Sequence, residues 1–484
     1  MIPVSTFAGQ TVALFGLGGS GLSTARALLA GGALLTSWDD SVAAREKAEA
    51  EGLGESLFDL RQSDWSRFSA LVLAPGVPLT HPEPHWTVVM AQQAGLEVIG
   101  DIELFCRERA VHAPGSPLIA ITGTNGKSTT TALAAHVLRE AGYDVQMGGN
   151  IGVPILDLEP PSPDRIHVVE CSTFQIDLAP SLQPSVGVLL NLTPDHLDRH
   201  GTMENYAGIK QRLVEASDYA IIGRDDAWSE AIFQHLKQQG QAVVGVTNTR
   251  SQALASICYD AGRLRRVFAL PNMKTLEEVL VDLARAPALR GAHNGQNAAA
   301  VFAACERLGL PHDEIGLAMR SFPGLAHRME QIGKRGKVLF VNDSKATNAD
   351  AAEKALLSFD PIFWILGGKA KEGGIEPLRP LFGRIAKAYL IGEASADFGK
   401  TLGPDVAYEF CGSLDVALKA AARDAALSEA EEPVVLLSPA CASYDQFANF
   451  EKRGDAFREQ VKLLLDDASA QGALFLARCA CEAG

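Results

Sequence analysis

Short apolar runs recur along this chain, and between them lie Ala- and Leu-rich stretches with the spacing of amphipathic helices. The runs at 11–15, 118–121, 166–169, 186–190 and 338–341 read as strands. Strands alternating with helices predict α/β units built on mostly parallel sheets. Three such series are expected. The stretch Val111-His-Ala-Pro-Gly-Ser-Pro117 has linker composition and separates the first from the second. The second passes through a helix over 298–308 and closes around Phe322-Pro-Gly-Leu325; the third restarts with the strand at 338–341. The expected domains are therefore 1–114, 115–325 and 326–484. No internal repeat of solenoid period is present, and the small-residue tail after Ser469 predicts a frayed helix.

Bulk properties narrow the picture. A chain of 484 residues with 47% hydrophobic content exceeds one ordinary core. Its 43 basic and 58 acidic residues leave a formal charge of −15, which argues against a nonspecific nucleic-acid binder. Any anionic ligand must be met by a local pocket. The eight cysteines contain no Cys-x-x-Cys, so neither a zinc cage nor a disulfide framework is indicated. The N-terminus lacks the basic and apolar regions of a signal peptide, and no apolar run reaches the length of a span of about 18 residues. A cytoplasmic protein without membrane insertion is expected.

In the first series the strand at 11–15 enters Gly16-Leu-Gly18-Gly-Ser-Gly21 and a helix, and a second strand ends at Trp38-Asp39-Asp40. This is the layout of a Rossmann-like nucleotide-binding unit. Glycines allow a tight turn and close approach of phosphate, and the helix N-terminus offers unpaired N–H groups. Read as a dehydrogenase, the unit would hold NAD with Asp39 or Asp40 on the ribose, yet nothing else here supplies hydride transfer. The bland alternative is glycines that only pack helix on strand.

The second series carries a sharper signal. Leu118-Ile-Ala-Ile121 leads into Thr122-Gly123-Thr124-Asn125-Gly126-Lys127-Ser128-Thr129 and a helix. Backbone N–H groups of such a P-loop wrap phosphates, the Lys127 ammonium bridges β and γ oxygens, and the Ser128 hydroxyl ligates Mg²⁺. The loop is Gly-x-x-Gly-Lys-Ser, shorter than the usual form. In a parallel sheet the carboxyl ends of neighbouring strands line the same crevice. Glu170 follows the strand at 166–169, and Asp195-His196-Leu-Asp198-Arg199-His200 lies just beyond the strand at 186–190. Alone, Glu170 would be a solvated cap and His196 a surface or core histidine. On one edge with Ser128 they become candidate metal ligands.

These residues resemble the Mur ligases, and the resemblance covers nearly the whole chain. Its marks are Gly123-Thr-Asn-Gly-Lys-Ser128, Gly148-Gly-Asn150-Ile-Gly152, Glu170-Cys-Ser-Thr-Phe-Gln175, Asn191 with Asp195-His196-Leu-Asp198-Arg199, and His293-Asn294-x-x-Asn297. In the third series come Gly324-x-x-His327-Arg328-x-Glu330, Asn342-Asp-Ser-Lys345-Ala-Thr347-Asn348, and Ser438-Pro-Ala-Cys-Ala-Ser443 running on to Phe450. The Asn342 and Ser438 segments separate the chain from the folate-polyglutamate relatives and match the branch of the family that adds D-glutamate.

The resemblance implies three domains: a Rossmann-like first domain for the UDP of a sugar nucleotide, a P-loop second domain for ATP, and a Rossmann-like third domain for the amino acid. It implies ligation of D-glutamate to UDP-N-acetylmuramoyl-L-alanine in peptidoglycan precursor synthesis, with ATP as co-substrate and two Mg²⁺ ions. By it Gly18, Ser20, Asp39, Gly76 and Asn150 face the sugar nucleotide. The loop Gly123 to Thr129 with Asn294, Arg328 and Asp343 faces ATP. Lys345, Thr347, Lys371, Ser443 and Phe450 form the D-glutamate subsite. Lys127, His196, Lys210 and Lys345 carry the catalysis. Ser128 and Glu170 would hold one metal ion, and His196 with a CO₂-derived carbamate on Lys210 the other. A monomer is expected.

Two positions strain the pattern. Ala74 stands where the family usually has serine, and Lys369 competes with Lys371 for one role, with spacing favouring Lys371. An oxidoreductase built on the first domain and an ATP-dependent switch built on the second remain as readings from other classes; both leave the third domain without a task.

Overall fold

The computed structural model describes residues 1–250, 256–269, 275–370 and 373–482. The architecture is α/β with three sheets. Strands β1 (Thr11–Phe15), β2 (Leu34–Trp38), β3 (Ala70–Leu73) and β4 (Glu97–Ile99) form a parallel sheet in the order β2-β1-β3-β4. The second sheet has nine strands: β5 (Leu118–Thr122), β6 (Asp144–Gly149), β7 (Arg165–Glu170), β8 (Val186–Leu189), β9 (Ala220–Gly223), β10 (Val243–Thr247), β11 (Ser256–Asp260), β12 (Arg263–Ala269) and β13 (Thr275–Asp282). Their order is β13-β12-β11-β10-β9-β8-β5-β7-β6, with parallel pairing from β6 to β11 and antiparallel pairing of β12 with both β11 and β13.

The third sheet contains β14 (Glu330–Arg335), β15 (Val338–Asn342), β16 (Ile362–Gly367), β17 (Ile385–Ile391), β18 (Tyr408–Gly412) and β19 (Val434–Leu437), ordered β14-β15-β19-β16-β17-β18. Only β14 runs antiparallel. The sequence reading started this series at Val338; the structure places β14 ahead of it. Its residues Glu-Gln-Ile-Gly-Lys-Arg form an edge strand with no apolar run to announce it.

The central strands show why the others were legible. Every residue of β3, β5, β8, β9, β15, β16 and β19 is buried. Covered on both faces, such strands must be continuously apolar. By compactness the chain divides into two units, Met1–Arg285 with Ala292–Ser321 and Ala286–Gly291 with Phe322–Gly484. Among the described residues no helix is long and apolar enough to cross a membrane.

Two features of strand order locate the crevices of the first unit. In the first sheet β2 and β3 flank β1, and in the second β7 and β8 flank β5. At such switch points the loops leaving adjacent strands part, and ligands of open α/β sheets bind there.

Candidate functional site

The loop after β5 is shaped by glycine. Gly123 has φ +147° and Gly126 φ +86°, and a Cβ on Gly126 would collide with Asn297 Oδ1. A side chain there would meet both strain and a steric block. Gly126 is also the residue that caps the helix Lys127–Glu140. The loop is latched to the strand beside it: Asn125 N donates to Asn191 Oδ1 (2.8 Å), Asn191 Nδ2 to Asn125 O (3.1 Å) and Thr124 N to Asn191 O (2.9 Å). Lys127 Nζ donates to Gly123 O (2.9 Å) and Thr124 O (2.8 Å), so its ammonium lies over the loop. Ser128 is buried, Thr129 half-buried, and Asn294 is buried on the helix Ala292–Arg307, accepting from Asn297 Nδ2 at 3.2 Å.

Glu170 ends β7 opposite Ile121 and is 2% exposed. Asn150 Nδ2 donates to its Oε1 at 2.9 Å, while Oε2 is buried without a hydrogen-bond partner. A buried carboxylate oxygen left this way carries a desolvation cost that a bound cation would offset. Lys210, on the helix Met203–Glu215, is also 2% exposed, with Nζ donating to Thr122 Oγ1 (3.1 Å) and Gly123 O (2.9 Å). Burial, and then the Lys127 charge, pull its pKa down to about 7. Lys210 and Lys127 thus share the carbonyl of Gly123.

His196 is different. Its backbone sits at φ +52°, its side chain is 52% exposed, and Nε2 lies 3.4 Å from Asp195 Oδ2. The enclosed histidine is His200, whose ring stacks on Phe174 at 5.1 Å and whose Nε2 meets Thr173 Oγ1 at 2.8 Å. Burial, with the neighbouring His196 and Lys210, pushes it down to about 4, so it is neutral at physiological pH. Among the described residues no group of three or more His, Cys, Asp or Glu stands together as a metal cage.

At the first sheet, Gly18 caps the helix Gly19–Ala30, whose second residue is Ser20. Both oxygens of Asp39 are engaged by backbone: Leu17 N donates to Oδ2 (2.7 Å) and Ser41 N to Oδ1 (2.8 Å). The Asp39 carboxylate therefore shapes the glycine loop. Gly76 O accepts from Arg199 Nη1 at 3.1 Å, tying the loop after β3 to the segment that carries His196.

In the second unit Asp343 follows β15, buried, accepting from Ser438 Oγ (2.8 Å) and Met329 N (3.1 Å). Burial pushes its pKa up to about 7 against those bonds and the Arg328 charge. Arg328 lies between His327 and Met329, two non-glycine residues at φ +63° and +43°. Lys345 Nζ stands 5.1 Å from the Phe450 ring centroid, and Thr347 N bonds Lys345 O at 2.8 Å. Ser443 is buried; beside it Lys369 and Ala442 exchange backbone bonds of 2.9 and 3.1 Å. Lys345, Thr347 and Phe450 are thus joined through one stretch of chain, and Ser443 through another that reaches Lys369. Lys371 lies outside the described residues.

Comparison with known proteins fits this geometry. The Mur ligase middle domain matches residues 121–305, and the Mur ligase glutamate ligase domain matches 327–441. UDP-N-acetylmuramoylalanine–D-glutamate ligases are 59% identical in Mesorhizobium japonicum (96% of this chain, 98% of that one) and 57% in Brucella abortus (96% and 98%). The chain belongs to the Mur ligase family. Among solved Mur ligases, UDP-N-acetylmuramate-alanine ligase from Thermotoga maritima superposes with TM-score 0.54 at 17% identity, covering 93% of this chain and 99% of that one. MurF from Acinetobacter baumannii gives 0.52 at 18%, covering 74% and 79%. These show the shared fold.

Two groups of residues in this Mur ligase stand out in the structure and not in the sequence. Arg453, 1% exposed, donates through Nε to Ser344 Oγ (3.0 Å) and through Nη2 to Ser344 O (2.8 Å) and Cys441 O (3.1 Å), joining the segments of Lys345 and Ser443. Its position three residues after Phe450, one helical turn on, was the available signal. Thr122 and Tyr206 were the other omission: they take Lys210 and Thr124 respectively, and no motif spacing marks them.

Proposed function

We propose that this Mur ligase joins D-glutamate to UDP-N-acetylmuramoyl-L-alanine, with ATP converted to ADP and phosphate. The observation that carries the reading is identity of 57–59% over 96% of the chain to ligases named for that reaction. The proposed division of labour is 1–114 for the sugar nucleotide, 115–325 for ATP and 326–484 for the amino acid.

The substrate carboxylate must approach a γ-phosphate of like charge. At 4 Å and an effective dielectric near 20 the repulsion is roughly 4 kcal/mol. Lys127, released from its loop carbonyls, and the loop N–H groups offset that charge and favour transfer of the phosphoryl group. The orphaned Glu170 Oε2 and the Ser128 hydroxyl suit Mg²⁺, a hard cation that takes oxygen ligands. When bound, Mg²⁺ supplies positive charge to the phosphates. An acyl phosphate and ADP result; the D-glutamate amine, once deprotonated, attacks the acyl carbonyl, and the tetrahedral intermediate expels phosphate to leave the amide. Lys345, Thr347, Lys371, Ser443 and Phe450 are proposed to form the D-glutamate subsite, where the lysines and hydroxyls meet its two carboxylates.

Lys210 is read as a carbamate serving, with His196, a second ion. Carbamylation needs the neutral amine, which is on the order of 0.1% of an ordinary lysine near neutral pH. With the pKa drawn down to about 7, roughly half of Lys210 is neutral there. The reading places the protein in the cytoplasm as a monomer.

Phosphate release with UDP-N-acetylmuramoyl-L-alanine, varying one amino acid, tests the function. D-Glutamate alone should give strong turnover. Equal turnover with L-lysine or meso-diaminopimelate would overturn it.

A further inference from the structure

Two consecutive carboxylates outside every role assigned above anchor both halves of the nucleotide crevice. Asp225 and Asp226 lie just beyond β9, two strands from the phosphate loop. Asp226 Oδ1 caps the helix Ala227–Gln238 through Ser229 N (2.8 Å), and its Oδ2 accepts from Leu192 N (3.0 Å). Leu192 directly follows Asn191, whose side-chain amide brackets Asn125 and whose carbonyl holds Thr124. Asp226 is therefore one backbone step from the latch of the phosphate loop.

Asp225 works in the other direction. Its Oδ1 accepts from Thr247 Oγ1 (2.5 Å), both oxygens lie within bonding reach of Asn248 N (3.1 and 2.9 Å), and Oδ2 accepts from Gln296 Nε2 (2.9 Å). Gln296 sits between Asn294 and Asn297 on the helix Ala292–Arg307, and Asn297 Oδ1 occupies the space a Cβ on Gly126 would need. Gly223 makes the approach possible: a Cβ there would stand 3.0 Å from Gln296 Nε2 and collide with Leu190 O. A carboxylate suits this node because it is acceptor-only, with about four lone-pair sites to gather donors from three elements.

We propose that Asp225 and Asp226 are positioning residues of the nucleotide site: Asp225 sets the helix that faces the base, and Asp226 sets the turn that holds the phosphate loop. This rests on the reading of 123–129 as the phosphate site and of Asn294 as the adenine contact. A helix displaced by loss of the Asp225–Gln296 bond moves Asn294, while Asn191 still latches the loop. A displaced Leu192 disturbs the latch itself.

The test is titration calorimetry on the full-length protein with two probes in Mg²⁺ buffer: adenosine 5′-(β,γ-imido)triphosphate, which carries base and phosphates, and tripolyphosphate, which carries phosphates alone. Asp225→Asn should weaken the adenine nucleotide by about tenfold and tripolyphosphate by less than about twofold. Asp226→Asn, which keeps one of two acceptors, should weaken both probes by about fivefold or more. Gln296→Met leaves Asp225 its bonds to Thr247 and Asn248 and should reproduce the base-selective loss if Asp225→Asn does not fold. Equal weakening of both probes by Asp225→Asn and Gln296→Met, as a merely structural role would give, overturns the proposal, as does no weakening. A wild type that bound neither probe would instead refute the phosphate site on which it rests.

Discussion

Among the described residues the most deeply buried long basic side chain of each compact unit is enclosed to almost the same degree, Lys210 at 2% exposure in the first and Arg453 at 1% in the second. Each rests on oxygens of the neighbouring chain: Lys210 on Gly123 O and Thr122 Oγ1, Arg453 on Ser344 O, Ser344 Oγ and Cys441 O. Their chemistry diverges. Burial and the Lys127 charge bring Lys210 down to about 7, whereas burial brings Arg453 only to about 10. Lysine under this stress can shed its proton and become a nucleophile; arginine stays charged and uses a rigid fork to bind several acceptors at once. The same degree of burial therefore produces a convertible group beside the loop at 123–129 and a fixed brace in the second unit.

The largest effects should come at the convertible pole. Lys127→Ala is expected to lower turnover by about 1,000-fold, since it removes the charge proposed to meet the transferring phosphoryl group. It should also raise the pKa of Lys210, because Lys127 is the second cause of its depression. Lys210→Arg keeps the positive charge yet cannot become a carbamate, and should cost about 100-fold or more in phosphate release. Turnover within about tenfold of wild type would mean that charge alone suffices and would dissolve the contrast. Direct observation is available by ¹³C NMR with labelled bicarbonate: wild type should show a carbamate carbon that Lys210→Arg lacks.

At the fixed pole the expected loss is in stability. Arg453→Ala strips donors from Ser344 O and Cys441 O, and unsatisfied buried acceptors cost about 1–3 kcal/mol each. Denaturant unfolding should show the transition of the second unit destabilised by about 3 kcal/mol, with that of the first unchanged. Arg453→Lys should recover only part, because an ammonium does not reproduce the fork. Full recovery would make the site a point-charge site and weaken the comparison.

The two cations also mark where sequence stopped being readable. The strands β1, β5, β8 and β15 announced themselves because parallel strands covered on both faces are nearly continuous apolar runs, and β7 through its Val168-Val169 core. β12 sets Arg263, Arg265 and Arg266 around the buried Leu264, so no apolar run marks it. The phosphate loop was legible because Gly, Lys and Ser at fixed spacing have few other uses. Lys210 was not: a lone lysine on an amphipathic helix reads as solvated, and only resemblance singled it out. Arg453, Asp225 and His200 take their parts from residues 109, 71 and 27 positions away, a separation no local pattern records. Asp39, expected at the sugar nucleotide, turns one oxygen to Leu17 N in the glycine loop and the other to Ser41 N in its own.

The last expected effect, the smallest per pH unit, is a pair of opposite pH slopes, measured in chelator-containing buffer free of bicarbonate so that metal and carbamate do not intervene. An unfolded lysine holds its proton to about pH 10.4, whereas folded Lys210 releases it near 7. Between those values the unfolded state binds more protons, so stability of the first unit rises with pH; below about 7 both states are charged and the cost of burying the ammonium is constant. Asp343 runs the other way. Its folded pKa is about 7 against an ordinary 3.8, so between them the folded state binds more protons, and the stability it lends the second unit is lost as pH rises through that window. Each slope is bounded by about 1.4 kcal/mol per pH unit for one proton. Thermal melting from about pH 4 to 10 should show Lys210→Met flattening the rise above about 7 and Asp343→Asn flattening the fall below it. If Lys210→Met left the alkaline slope intact, the amine would be charged in the folded protein, and the distinction between a convertible and a fixed buried cation would fail at its root.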